Sequence, residues 1–208
     1  MSHRFAEIAF TPGVRARQSE NGSASAYDAQ LQAPGVTHDR LGAAEAAFIS
    51  ARDSFYMASV GETGWPYVQH RGGPPGFIRV LDDATIGFAD FRGNRQYVSL
   101  GNVSGDDRVC LFMMDYPSRT RLKMFGRASV TSDTDIIAGL AVPDYRGRIE
   151  RGWVIKIAGF DWNCPQHITP RYTEQEIADA VAPLHAQIRT LQEENAVLAA
   201  RAAKGGVG

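Results

Sequence analysis

The run FADFRGNRQ (88–96) is the densest polar cluster with a mechanical logic in this sequence. A β-patterned segment ends at Asp90 and Phe91, a glycine turn follows, and a helix is predicted to start at Asn94. Arg95 and Gln96 then fall in its first turn. A helix start offers unpaired backbone N–H groups and a partial positive charge. An arginine beside it adds a planar fork that grips two phosphate oxygens. The combination suits a phosphate monoester. The alternative is that Arg92 and Arg95 are solvated surface charges.

Three further clusters carry reactive side chains. In QHRGGPPG (69–76), one strand presents Gln69, His70 and Arg71, and the glycines allow another backbone or a flat ligand to approach closely. His70 alone reads more readily as a satisfied strand histidine than as a base or ligand. RTRLKMFG (119–126) is a basic strand whose plain reading is a salt-bridged sheet edge. In DWNCPQHITPR (161–171), Cys164 and His167 stand at C-x-x-H spacing. No second Cys/His pair exists, so a zinc site is not expected, and no third group orients a Cys–His nucleophile. Trp162 either stacks on a ligand ring or closes one end of the core.

The elements that must position these residues are mostly strands. FYMASVG (55–61), WPYVQHR (65–71), FIRVL (77–81), TIGFADF (85–91), VCLFMMD (109–115), RLKMFGRASVT (121–131) and GWVIKIAGFDW (152–162) are β-patterned and separated by turn signals. VCLFMMD reads as buried on both faces. Helices are predicted at 39–52 with Asp39 as N-cap, at 94–102, and at 133–141 with Asp133 near its start. The early strands are too closely spaced for βαβ crossovers, and no GxGxxG follows a strand. The fold class is therefore mainly β with short helices, a small barrel or sandwich.

The tail differs. Apolar residues at 177, 181, 184, 188, 191 and 198, with Asn195 in the remaining slot, follow the 4-3 spacing of a coiled-coil seam. Pro183 is expected to mark the start of the regular helix. This helix packs either on its own barrel or against a partner subunit. The expected organisation is an extension over 1–38, a core over 39–170 and a helical tail over 171–208.

Composition removes other classes. The 208 residues carry 22 Lys+Arg against 23 Asp+Glu, so phosphate neutralisation along a nucleic acid is not expected. No apolar run reaches the length of a membrane span, and the N-terminus lacks a signal-peptide core. Two cysteines make no disulfide framework, and the cytoplasm is the expected compartment.

Over about residues 41–165, and most strongly over 53–102, the sequence resembles the FMN-binding split-barrel proteins related to pyridoxamine 5′-phosphate oxidase, in particular one bacterial branch. The resemblance implies a six-stranded antiparallel split barrel, FMN as cofactor, and a homodimer with the flavin between subunits. It implies flavin contacts from Gln69, His70, Arg71, Ala89, Asp90, Asn94, Arg95 and Gln96, with Arg95 at the phosphate arginine. Gln69 stands where the oxidases have arginine, Gln96 where they have lysine, and Arg121 where they have a ring-directed glutamine supplied by the partner. Trp162 is a further candidate. The Arg-Leu-x-Pro close of the vitamin B6 oxidases is missing, so their substrate site is not implied. The expected activity is FMN-dependent oxidoreduction of a small molecule, with no catalytic side chain or metal assigned. The alternatives are a non-catalytic flavin-binding or sensing module, or a haem- or deazaflavin-binding barrel.

Overall fold

The computed structural model describes residues 3–32, 37–163 and 165–205. Cys164 lies outside them, so the C-x-x-H pair is not described. Seven strands form one antiparallel sheet: β1 (Ser54–Val60), β2 (Pro66–Gly72), β3 (Ile78–Asp82), β4 (Thr85–Phe91), β5 (Arg108–Asp115), β6 (Thr120–Thr131) and β7 (Ile149–Asn163). Their order is β2-β1-β5-β6-β7-β4-β3. The six-stranded expectation is corrected to seven, because every β-patterned segment pairs. β6 lies between β5 and β7, so the basic strand is central rather than an edge.

Alternation explains the core. On β1, Phe55 and Met57 are buried while Tyr56 and Val60 are exposed. On β5, Leu111 and Met113 are buried but Cys110 and Phe112 only partly, so this strand has one buried face rather than two. The sheet then curls until its core face closes on itself. Phe55 of β1 meets Phe88 of β4 edge-on, with ring centroids 5.2 Å apart. Phe88 in turn stacks on Trp153 of β7. Gly73 lies in the GGPPG loop, where a Cβ would fall 2.7 Å from the Phe77 ring. The close approach that these glycines permit is taken by the chain's own aromatic.

Seven helices accompany the sheet among the described residues: α1 (Arg4–Ala9), α2 (Pro12–Glu20), α3 (Ala24–Gln32), α4 (Ala43–Ser50), α5 (Val98–Gly105), α6 (Thr134–Leu140) and α7 (Glu174–Gly205). α4 starts later than predicted. Glu45 accepts from the Gly42 N–H at 2.9 Å, whereas Asp39 takes the Thr37 hydroxyl instead of capping the helix. Asp133 caps α6 as predicted, accepting from the N–H groups of Asp135 and Ile136.

α1 covers part of the outer sheet face. Phe5 stacks on Phe125 of β6 at 4.8 Å. A Cβ at Gly159 would fall 2.6 Å from the Phe5 nitrogen, so only glycine admits the α1 backbone there. His3 is buried and stacks on His38 at 3.9 Å.

α7 forms a second compact unit together with residues 116–118 and 168–173. Its start is a reciprocal cap: Glu176 accepts from the Thr173 N–H and Thr173 accepts from the Glu176 N–H. The helix continues through Pro183 instead of beginning there. The cap adds about two turns of helix, carrying Ile177 and Val181, that the proline-based boundary excludes.

Candidate functional site

At the far end of β2, residue alternation turns Gln69 and Arg71 to the core side, opposite Met57 and Phe55 of β1. His70 faces the other way, against the Tyr56 ring at 5.6 Å. The core-side pair opens into a cleft of about 250 Å³ lined by Gln69, Arg71, Asp90, Asn94, Arg95 and Tyr97, among others.

The floor is a buried ion pair. Arg71 Nη1 donates to Asp90 Oδ1 at 2.6 Å, with the side chains 13% and 12% exposed. The Arg71 guanidinium also lies over the Trp153 ring, 5.0 Å from its centroid. Burial pushes its pKa down, and Asp90 opposes that shift. Arg71 Nε is buried and has no hydrogen-bond partner. Arg151 approaches the second Asp90 oxygen at 3.7 Å.

The rim is a loop. The helix predicted at 94–102 is α5, which starts at Val98. Residues 92–97 are irregular because Asn94 Oδ1 accepts from the Gln96 N–H at 3.1 Å, a local turn that competes with helix. Arg95 (φ 62°) and Tyr97 (φ 55°) both adopt left-handed backbone, which is unfavourable for residues with a side chain. Arg95 is exposed, and its Nε donates to the Tyr97 hydroxyl at 3.2 Å. That hydroxyl donates to Glu150, which also pairs with Arg92 and Arg151. Ser99, buried at the start of α5, donates to Gln69 Oε1 at 2.7 Å.

The structure thus brings together Gln69, Arg71, Asp90, Asn94 and Arg95. Gln96 is exposed on the same loop, and Ala89 is buried in the core beside the Asp90 strand end. His70 stands on the opposite sheet face. Arg121 lies on β6 with its guanidinium 5.9 Å from the Phe112 ring and its Nε buried without a hydrogen-bond partner. Trp162 closes the core: its indole donates to Glu45 at 2.8 Å and its ring meets Phe48 edge-on. Ser99, Tyr97, Glu150 and Arg151 escaped the sequence reading. The charged pair Glu150-Arg151 opening a strand was the available signal for two of them.

The lining holds two guanidiniums, Arg71 and Arg95, and two carboxylates, Asp90 and Glu150, and these carboxylates also pair with Arg151 and Arg92, which lie outside the lining. Arg95 holds only the Tyr97 hydroxyl and makes no ion pair among the described residues. No group of three or more His, Cys, Asp or Glu that could hold a metal ion occurs among the described residues.

The seven-stranded antiparallel sheet that curls on itself is that of a split-barrel protein. The chain belongs to the pyridoxamine 5′-phosphate oxidase family, whose model matches residues 41–158, more than half of the sequence. Among solved structures it is similar to HupZ from Group A Streptococcus (12% identity, 64% of this chain and 100% of that one, TM-score 0.49). It is also similar to a putative pyridoxamine 5′-phosphate oxidase from Lactobacillus delbrueckii (20% identity, 59% and 94%, TM-score 0.46). A third is an FMN-binding protein from Syntrophomonas wolfei (11% identity, 72% and 97%, TM-score 0.46). No curated protein matches the chain.

Proposed function

We propose that the protein binds FMN and acts as an FMN-dependent oxidoreductase on a small molecule. The observation that carries this reading is that both carboxylates lining the cleft are already paired with arginines, while Arg95 at the rim holds only the Tyr97 hydroxyl and Arg71 Nε is buried without a hydrogen-bond partner. In this reading Arg95 and Asn94 hold the phosphate from the rim, and Arg71 supplies the positive charge that Gln96 does not. Gln69 is held by Ser99, so its amide N–H₂ remains free to donate toward the ligand. Bound FMN would supply two-electron redox chemistry, and the protein's part is to hold the phosphate and orient the ring.

The working unit in this reading is a homodimer. Tyr56, Val60 and Val68 are exposed on one face of β1 and β2, and Phe112 is half-buried beside them. A second copy of that face would cover this patch, and Arg121 on the same side would reach the partner's cleft. Residues 39–170 are then the cofactor-binding body, with 1–38 and 171–208 as extension and tail. No helix among the described residues is long and apolar enough to cross a membrane, and the reading assigns the protein to the cytoplasm.

The test is the absorption spectrum of the purified protein, followed by FMN titration and reduction by NAD(P)H. A flavin spectrum with reduction of the bound cofactor supports the enzyme. Binding without reduction or turnover leaves a binding module. A haem spectrum, or no flavin binding, overturns the reading.

A further inference from the structure

The seam on α7 is matched to a copy of itself. In heptad terms Ile177, Leu184, Leu191 and Leu198 occupy d positions, and Val181, Ile188 and Asn195 occupy a positions. Ile177, Leu184, Ile188, Leu191 and Leu198 are each between 49% and 59% exposed. Over roughly 30 Å of helix, at 1.5 Å per residue, a regular aliphatic stripe is thus open to a partner.

Three features identify that partner. β-branched residues at a with leucine at d favour a two-stranded, parallel pair. Asn195 is the one polar residue in the seam. In a parallel, in-register pair it meets the other Asn195 and its amide is satisfied, whereas in an antiparallel pair a d leucine faces it. The flanking positions agree: Gln187 would face Gln192, and Glu194 would face Ala199, so no like charges oppose each other. Pro183 sits at position c, off the seam, where its ring does not obstruct a neighbour.

We infer that α7 pairs with α7 of a second copy of this chain as a parallel, in-register two-stranded coiled coil. The pair has its twofold along the shared helix direction, so this contact by itself closes a dimer. The inference uses no residue of the cleft and does not depend on flavin binding.

The experiment is site-specific disulfide formation in the full-length protein, with Cys110 and Cys164 replaced by serine and no flavin added. Leu191→Cys puts a thiol in the seam, and Glu193→Cys puts one on the outer face two residues away. A disulfide requires Cβ atoms about 3.5–4.5 Å apart, which only a symmetric, in-register seam gives at one position. In a glutathione redox buffer, Leu191→Cys should form covalent dimer at least about tenfold more favourably than Glu193→Cys. Asn195→Leu should raise the thermal stability of the tail and admit larger assemblies, because the polar a residue restricts pairing at a cost in stability. Equal yields at the two positions, or no covalent dimer from Leu191→Cys, would overturn the inference. An antiparallel pair or a different protein on the stripe gives those outcomes.

Discussion

Arg71 and Arg95 face the same cleft and are held in opposite ways. Arg71 is on a strand, buried, locked to Asp90 and lying over Trp153. Arg95 is on a loop, exposed, in left-handed backbone, and tied only to the Tyr97 hydroxyl. The floor of the cleft is therefore a fixed, buried ion pair packed into the core. The rim supplies a donor that is free to close on a ligand. A change at the floor should appear first as lost stability, and a change at the rim as lost affinity.

The largest effect is expected at the floor. Arg71→Met leaves Asp90 buried with only the longer Arg151 contact. Breaking a buried pair from one side costs about 3–5 kcal/mol, measured by chemical denaturation. Adding Asp90→Leu should recover most of that stability, since two apolar groups satisfy each other, yet should not recover FMN affinity. If Arg71→Met unfolds at the wild-type midpoint, the two arginines do not differ as described.

At the rim the order reverses. Arg95→Ala should weaken FMN binding about tenfold to a hundredfold, the worth of one charge-assisted hydrogen bond of about 1.5–3 kcal/mol. Its stability should stay within about 0.5 kcal/mol of wild type. Arg95→Gly should lose the same affinity while removing a left-handed backbone cost of about 1 kcal/mol, part of which the greater freedom of unfolded glycine cancels. Comparing the two variants by thermal melting separates backbone strain from ligand contact. Gln96→Lys should leave affinity unchanged or raise it slightly, because it adds a cation at an exposed rim position.

The smallest effect lies away from the cleft. Burial, and the stacked His38, lower the His3 pKa from 6.5. Below about pH 6.5 the unfolded chain then binds more protons than the folded one. Stability contributed by α1 is present above that pH and lost as pH falls through the lowered folded value. The protection of amides 4–9, measured against their intrinsic exchange rate at each pH, should fall on acidification, and His3→Phe should remove most of that dependence. An unchanged profile in His3→Phe would assign the pH response to other groups.

Much of this arrangement was legible in the residues. Each of the seven β-patterned segments became a strand, one more than the six-stranded barrel expected, and Asp133 marked its helix. Gln69, Arg71, Asp90, Asn94 and Arg95, which the structure places around one cleft, were grouped only through family resemblance, because their approach depends on β2 and β4 closing across the barrel. Long-range closure of that kind leaves no local periodicity. Side-chain competition was also hard to read: Asn94 favours its own turn over a helix start, and Glu45 takes the capping role expected of Asp39. His70 and Trp162 have the right chemistry, but strand parity turns one outward and α4 occupies the other. The helix of the tail was legible because its apolar spacing is periodic, although Pro183 hid its true start.

The most direct test compares FMN with riboflavin, which lacks the phosphate, in wild type and Arg95→Ala, by flavin fluorescence titration. The arginine cleft as phosphate site predicts that wild type binds FMN at least about tenfold more tightly than riboflavin, roughly one charge-assisted contact. It further predicts that Arg95→Ala narrows that gap by weakening FMN alone. Equal affinity for the two flavins in wild type, or equal weakening of both in Arg95→Ala, would contradict it.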